Sequence, residues 1–319
     1  MAGAPPVTVS VSALEGGHLT LPDHLFVADA SPAARTTVPS LSFLIRHPTR
    51  TLVFDLGLKR DLSAYAPAQQ HHITQRHPIT TSPDVADSLR GGGLDPARDI
   101  DDVLLSHVHW DHVGTPSDFA RARFVVGAGT LAVLARGAGP LYPAAIFNAD
   151  ELPRDRTYEL PPVPGGPADE RAPCGRLVEP APEERRTAHR WVRLGAFDAA
   201  VDFFGDGSVW VLDAPGHLFG HVNVLARVGQ RRWVYLGGDC CHDPRILRGE
   251  KEIALYDDSN GGLRSVHMDT GRARSTLSRI DEFLRERKVG EDEAEVEVVV
   301  AHDKEWREKN EHRFFPGKL

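Results

Sequence analysis

Three histidines and an aspartate lie within six residues of one another in the stretch LLSHVHWDHVG, residues 104–114; they are His107, His109, Asp111 and His112. Imidazole nitrogens and carboxylate oxygens are ligands that zinc and related divalent ions prefer in proteins. An uncharged apolar run precedes them, which is typical of a buried strand. The spacing therefore predicts a metal site at the end of a strand.

Other candidate ligands follow apolar stretches in the same way. His217 follows VWVLDAPG, Asp239 follows WVYLGG and His302 follows VEVVVA. Asp55 comes directly after LVF. Because loops at strand ends are held by a rigid scaffold and converge on one edge of a sheet, we expect these side chains to meet there.

The donors divide into two sets. One ion would take His107, His109 and His217, a second would take Asp111, His112 and His302, and Asp239 would bridge them. Such ions lie ~3.5–4 Å apart and lower the pKa of bound water to ~7. The sequence thus predicts two divalent ions, with zinc the first choice and Mn, Fe or Co compatible with the same ligands.

The elements around these residues are predicted mainly as strands. SLSFLIRH and TLVFDLG predict a hairpin that ends at Asp55, and SPDVADSLRGGG predicts a helix with Ser82 as N-cap and Pro83 at its first position. A second helix, ARSTLSRIDEFLRERK, places three apolar side chains on one face: Leu277, Ile280 and Leu284. Two packed sheets flanked by helices fit this order, and the pattern alone leaves other α/β arrangements open.

Residues 148–190 differ in composition from the rest of the chain. They are rich in proline, glycine and charge and show no sustained period. A loop of this length in a compact domain is usually a lid or a disordered segment. Strand patterns resume directly afterwards, so we interpret residues 1–319 as one domain with a lid-like insertion at about 148–190.

The composition limits the classes of partner. Hydrophobic residues make up 41% and charged residues 26%, and the net charge of −8 argues against nucleic acid. We find neither a signal peptide pattern nor a membrane-spanning stretch, and we expect a cytoplasmic protein. Cys240 and Cys241 are adjacent among only three cysteines, so we interpret them as small buried side chains. We expect a small-molecule substrate, no nucleic-acid or membrane partner, and a monomer or homodimer.

The order of the motifs resembles the metallo-β-lactamase superfamily. The sequence shows His-x-His-x-Asp-His after a strand, then Pro-Gly-His, then Gly-Asp, then a strand-borne histidine, over residues 55–303. The single Asp239 and the AHD ending are similar to the lactone-hydrolysing branch typified by N-acyl-homoserine lactonases. TVPSLSFLI and the FFPG tail are also similar to fungal members that open lactams or cyclic carbamates such as benzoxazolinone.

This resemblance implies a fold and a role for one aspartate. The fold class would be α+β, an αββα sandwich of two packed mixed sheets flanked by helices, with the metal site at one edge. Asp55 would support the site from outside the ligand sphere. Considered by its residue type alone, Asp55 could equally be an acceptor for backbone N–H groups.

One position departs from the lactonase branch, in which a tyrosine usually stands three residues after the bridging aspartate and contacts the substrate carbonyl. Here the position is His242, which could stabilise an oxyanion or protonate a leaving group, or could be an exposed loop residue. This exchange favours a ring other than homoserine lactone. The hypothesis is hydrolysis of a small cyclic ester, amide or carbamate by a metal-bridging hydroxide, with His242 at the oxyanion and Asp111 or Asp239 moving the proton.

Alternative interpretations remain at two levels. A thioesterase or glyoxalase-type hydrolase would use the same metals on a linear thioester, and a nuclease of the same fold is disfavoured by the acidic charge balance. His221 competes with His217 as a ligand, and we interpret His221 as a structural residue at the start of the next strand. His71, His72 and His77 are interpreted as surface residues, although their segment could line the mouth of the pocket. Val108 and Trp110 are interpreted as side chains that pack beneath the loop.

Overall fold

The computed structural model describes residues 5–164, 178–258 and 261–319, and two six-stranded sheets form its centre. The first sheet contains, in order across it, β1 (Ser10–Leu14), β4 (Ser42–Arg46), β5 (Thr51–Phe54), β6 (Asp102–Leu104), β7 (Arg123–Val126) and β8 (Thr157–Glu159). β1, β4 and β5 pair antiparallel, whereas β5 to β8 pair parallel. The first sheet is therefore mixed.

The second sheet is mixed as well. Its order is β18 (Glu295–Val299), β13 (Arg232–Leu236), β12 (Val222–Arg227), β11 (Val209–Asp213), β10 (Phe197–Asp202) and β9 (Val192–Leu194). Neighbouring strands from β9 to β13 pair antiparallel, and β18 pairs parallel with β13. Three two-stranded hairpins complete the described strands: β2 (His18–Pro22) with β3 (Arg35–Pro39), β14 (Tyr256–Asp257) with β15 (Leu263–Arg264), and β16 (Lys288–Val289) with β17 (Asp292–Glu293).

Successive side chains of a strand point to opposite faces of its sheet, and this alternation builds the layers. Phe43 and Ile45 of β4 lie in the apolar core between the sheets, where Val211 and Val224 of the second sheet also lie. Leu44, between them in sequence, belongs to a separate apolar cluster on the outer side. The strands of the first sheet are therefore buried on both faces.

Helices cover both outer faces. They are α1 (Pro67–Ile73), α2 (Val85–Gly91), α3 (Pro96–Asp99), α4 (Thr130–Arg136), α5 (Pro244–Leu247), α6 (Thr270–Glu286) and α7 (Lys304–Lys309). Leu89 of α2 and Val133 of α4 pack on the first sheet, and Phe283 of α6 packs on the second. This arrangement confirms the predicted αββα sandwich. Among the described residues, none of the helices combines the length and the apolar character needed to cross a membrane.

Helix α2 begins later than predicted. Ser82 is not its N-cap and Pro83 is not its first residue, because Asp84 occupies the N-cap and its carboxylate accepts the N–H of Asp87 at 2.8 Å. Arg60 lies 2.6 Å from the other oxygen of Asp84. An aspartate caps a helix as well as a serine does. The cap formed by Asp84 therefore places the start of the helix at Val85, and Arg60 pairs with the second carboxylate oxygen.

Helix α6 buries a different stripe from the one predicted. Ile280 is fully buried as expected, but Leu277 and Leu284 are only half-buried. The other buried positions are Ala273, Thr276 and Phe283. The ring of Phe283 packs against Phe197 of β10 with centroids 5.1 Å apart. An aromatic ring buries more area than a leucine, and its contact sets the rotation of the helix.

Part of the segment 148–190 belongs to the first sheet. β8 lies within it and pairs with β7, a strand that the sequence analysis did not predict. Glu159, the last residue of β8, is buried and accepts the N–H of Leu131 and of Ala181. Residues 165–177 lie outside the described residues, so the lid-like insertion stays a prediction there.

Candidate metal centre

The predicted ligands come together at one edge of the sandwich. All of them follow the end of a strand: His107 to His112 lie three to eight residues after β6, His217 four residues after β11, Asp239 three after β13 and His302 three after β18. β6 is paired in parallel with β5, and β18 in parallel with β13. Because parallel strands end at the same side, the loops that follow them meet there.

The first donor group contains three buried histidines. Nε2 of His107 lies 2.9 Å from Nδ1 of His109, which lies 2.8 Å from Nε2 of His217. The outer nitrogens have other partners, since Nδ1 of His107 lies 3.0 Å from the Ser106 hydroxyl and Nδ1 of His217 lies 3.2 Å from Nδ1 of His267. With protons on the outer nitrogens, the lone pairs of His107 and His217 point towards the third histidine.

Burial keeps these three imidazoles neutral. It is the main cause that lowers the pKa of His107 and His217 well below the ordinary value and the pKa of His109 to about 3. A neutral imidazole offers a lone pair, and this is the form that binds metal ions. The group is therefore in its metal-binding protonation state at neutral pH.

The second donor group contains Asp111, His112 and His302, whose ligand atoms all lie within 4.8 Å of one another. Nδ1 of His112 lies 2.8 Å from an oxygen of Asp55, and Nδ1 of His302 lies 2.8 Å from the carbonyl oxygen of Pro39. These contacts hold both rings by their outer nitrogens. The Nε2 atoms consequently point to the centre of the site.

Asp239 lies between the two groups. Its Oδ2 is 3.3 Å from Nε2 of His217 and 3.8 Å from Nε2 of His107. Its Oδ1 is 3.2 Å from Nε2 of both His112 and His302. One oxygen therefore faces each donor group, which is the arrangement that a bridging carboxylate requires.

The charges around Asp239 favour a cation. Burial alone would raise its pKa, but His112 and His302 hold the pKa of this carboxyl well below its ordinary value. In turn, burial would lower the pKa of His112, but Asp239 and Asp55 raise that pKa well above the usual range. The proton on His112 thus supplies positive charge at the place where a metal ion would supply it. Metal ions and protons compete for the same lone pairs.

Two residues outside the donor groups fix these positions. Asp55, whose φ is 61°, accepts the N–H of Ser106 at 2.6 Å and its hydroxyl at 2.7 Å in addition to contacting His112. His221 is buried, with Nδ1 3.0 Å from the Ala214 carbonyl oxygen, and its Nε2 accepts the N–H of Asp239. Asp55 therefore orients one ligand, and His221 has the structural position that we expected.

A divalent ion fits the donors present. Three buried atoms at the centre have no hydrogen-bond partner, namely Nε2 of His112, Nε2 of His302 and Oδ1 of Asp239. Buried polar atoms are costly unless they are paired, and nitrogen and carboxylate donors that face one another are satisfied by a cation. In the first donor group, the inward nitrogens of His107, His109 and His217 face one another, and a cation would satisfy their lone pairs together with Oδ2 of Asp239.

His242 is buried in the site and is not an exposed loop residue. Its Nε2 lies 3.1 Å from Oδ2 of Asp239. Its ring stacks on His302 with centroids 5.5 Å apart and lies against Phe26 on the other side. His242 is thus within reach of both the metal donors and a substrate.

His267 was not among the candidate site residues predicted from the sequence. This residue is buried, and its ring lies 5.0 Å from that of His217 and 5.4 Å from that of His242. The three histidines could also hold an ion, since their ligand atoms lie within 4.8 Å of one another. No apolar strand precedes His267 in the sequence, so the rule that found the other ligands gives no signal here.

A cavity of about 390 Å³ opens onto the donor groups. Its wall includes His72, whose segment was predicted to lie at the surface or to line the pocket mouth, and Trp110, which was predicted to pack beneath the loop. Trp110 meets Tyr65 edge to face, whereas Val108 is buried beneath the loop as predicted. His71 and His77 are exposed. The described residues of the segment 148–190 contribute nothing to this wall.

Comparison with known proteins decides the family. The model described as "Metallo-beta-lactamase superfamily" matches residues 35–237. The chain belongs to the metallo-beta-lactamase superfamily. The predicted resemblance is therefore confirmed, and the chain carries a His and Asp cluster that is compatible with a metal site.

Two curated proteins are similar to this chain in sequence. Gamma-lactamase MBL2 of Gibberella moniliformis (strain M3125 / FGSC 7600) is 31% identical over 195 residues, covering 60% of this chain and 70% of that protein. Cytochrome P450 monooxygenase mpaDE of Penicillium brevicompactum is 30% identical over 98% of this chain. The chain spans only 35% of the length of mpaDE, about a third.

A solved structure has the same fold as this chain. The structure of an N-acyl homoserine lactone hydrolase, with the product N-hexanoyl-L-homoserine bound at its catalytic metal center, superposes with a TM-score of 0.64. It covers 98% of this chain and all of that one at 17% identity. This likeness establishes the architecture of the metallo-beta-lactamase sandwich over nearly the whole chain.

Proposed function

We propose that this metallo-beta-lactamase-fold enzyme opens a small cyclic ester, cyclic amide or cyclic carbamate by metal-dependent hydrolysis. The observation that carries the proposal is Asp239, which directs one oxygen to each of two donor groups at the floor of a cavity. A relative named as a gamma-lactamase and the fold shared with a lactone hydrolase support ring opening.

We propose two divalent ions as the cofactor, with zinc first and Mn, Fe or Co as alternatives. All the donors are imidazole nitrogens or carboxylate oxygens, which suits each of these metals. His107, His109 and His217 would hold one ion and Asp111, His112 and His302 the other, with Asp239 shared. When bound, the ions supply a bridging hydroxide as the nucleophile and polarise the substrate carbonyl.

The side chains around the cavity have separate tasks in this reaction. The bond between the carbonyl carbon and the ring oxygen or nitrogen breaks, and a new bond forms between that carbon and the oxygen of the nucleophile. Negative charge develops on the carbonyl oxygen during this reaction. His242 borders the cavity and would donate a hydrogen bond to that oxygen. Asp111, also in the wall, or Asp239 would pass the proton of the nucleophile to the leaving oxygen or nitrogen.

A turnover panel tests this proposal. The zinc-loaded protein is assayed on γ-butyrolactone, a γ-lactam, benzoxazolinone, an N-acyl-homoserine lactone and a linear thioester. We expect hydrolysis of at least one ring, its loss after dialysis against a chelator and its recovery with zinc. Activity confined to the thioester would establish the linear-substrate alternative, and full activity in metal-free protein would overturn the proposal.

His242→Ala separates the role of this residue from metal binding. We expect kcat to fall on the order of 10²-fold, because one oxyanion donor is lost, while the metal content stays at two ions per chain. His312→Ala is the matched control, since His312 is exposed near the C-terminus. Loss of metal from His242→Ala would instead make His242 a ligand.

A further inference from the structure

Arg76 is a buried cation in the wall of the cavity. It is only 6% exposed, and it ends the 3₁₀ turn Thr74–Arg76 that continues directly from α1. No carboxylate lies within ion-pair distance of its guanidinium among the described residues, and its buried Nη1 has no hydrogen-bond partner. Its Cζ lies over the ring of Phe26, 5.9 Å from the ring centroid, in a cation–π contact.

Gln69 adds a second unpaired donor to the same wall. It is 3% exposed, and its Nε2 is buried without a hydrogen-bond partner. It lies two helical turns before Arg76 along the run formed by α1 and the 3₁₀ turn, so both side chains project from the same side. Both line the cavity that reaches the metal donors.

The charges near Arg76 leave its positive charge uncompensated. Burial lowers its pKa, Arg35 lowers it further, and Asp111 acts in the opposite direction. An arginine stays protonated in proteins, so a charge remains in the wall. Asp111 is itself a candidate metal ligand, and a bound ion would neutralise it. A buried charge with no partner costs free energy, which a ligand of opposite charge would recover.

We propose that Arg76 and Gln69 bind a carboxylate on the substrate, so that the enzyme selects rings bearing an acidic substituent. This inference rests on the proposed ring-opening function. The guanidinium is planar and presents paired N–H groups that match the two oxygens of a carboxylate, and the Gln69 amide supplies a further donor. A cavity of about 390 Å³ has room for a ring of one or two cycles with its substituent.

Turnover of a matched pair of lactones tests the selection. The acid is 5-oxotetrahydrofuran-2-carboxylate and its neutral counterpart is the methyl ester. We expect Arg76→Met to lower kcat/KM for the acid by about 10- to 100-fold, mainly through KM, because charge-assisted hydrogen bonds are lost. The ester should change little. Arg285→Met is the control, since Arg285 is exposed on α6 and pairs with Asp281.

A binding measurement keeps the inference testable if neither lactone is hydrolysed. Tetrahydrofuran-2-carboxylate contains no ester bond in its ring, and its binding to the zinc-loaded protein is measured by calorimetry. We expect Arg76→Met to weaken binding about 10- to 100-fold and Gln69→Leu about threefold to tenfold. Equal affinity in wild type and Arg76→Met would overturn the inference, whatever the turnover result.

Thermal melting tests whether Arg76 has a purely structural role. Because Arg76 has no ion pair among the described residues, we expect the melting temperature of Arg76→Met to equal or exceed that of the wild type. A marked drop in melting temperature, with the acid and the ester affected alike, would show that Arg76 holds the wall together and would overturn the inference.

Discussion

Four of the five histidines among the candidate ligands are held by the nitrogen that faces away from the centre of the site. The outer partners are the Ser106 hydroxyl for His107, Asp55 for His112, His267 for His217 and the Pro39 carbonyl for His302. Partners of this kind fix the tautomer and the orientation of a metal-binding ring. The geometry of the site therefore depends on residues beyond the seven candidate ligands.

Asp55 is the partner whose removal should have the clearest effect. In Asp55→Ala, His112 loses its anchor and Ser106 loses the acceptor of two hydrogen bonds. We expect metal affinity to fall by about 10- to 100-fold, measured by competition with a chelating dye. Asp281→Ala, an exposed aspartate on α6, should leave the affinity unchanged. Equal affinity in the two variants would contradict the supporting role of Asp55.

The seven candidate ligands could be predicted because each follows an apolar run and has a metal-binding side chain. Arg76, Gln69 and His267 could not be found in this way. Arg76 and Gln69 have ordinary surface residue types in a polar stretch, QQHHITQR, and only the packing of α1 against the sandwich buries them. The binding role proposed for them rests on buried donor atoms that have no hydrogen-bond partner, and a sequence does not show which donors lack a partner.

At the scale of elements, the strands were easier to predict than the details of the helices. The hairpin of β4 and β5 was predicted from SLSFLIRH and TLVFDLG, whereas the short β8 lies in a segment that shows no sustained pattern. The start of α2 depends on whether Ser82 or Asp84 caps it, and in the structure Asp84 caps the helix while it also pairs with Arg60. Local propensity leaves such choices open until the tertiary contacts are known.

The rotation of α6 gives a test at this scale. Phe283 is fully buried against the second sheet, whereas Leu284, which the sequence pattern placed on the buried face, is half-buried. We expect Phe283→Ala to lower the free energy of unfolding by about 3–5 kcal/mol in urea titrations, and Leu284→Ala to lower it by less than half as much. A larger loss of stability in Leu284→Ala than in Phe283→Ala would instead support the buried face that was predicted from the sequence.

At the scale of the whole molecule, the donors come from both sheets. His107 to His112 follow a strand of the first sheet, and His217, Asp239 and His302 follow strands of the second. Each donor group includes residues from both sheets. A bound ion would thus connect the two halves of the sandwich, and its binding energy would add to the stability of the whole fold.

Metal removal should therefore destabilise the protein as well as inactivate it. An ion present at 100 times its Kd stabilises the native state by about 2.7 kcal/mol, and two independent ions by about twice that. We expect a chelator to lower the melting temperature by about 10 °C and added zinc to restore it. His302→Ala, which removes one donor of the second group, should show about half of this chelator effect. An unchanged melting temperature in the chelated wild type would mean that no ion links the sheets, because a ligand bound only by the native state must raise its stability.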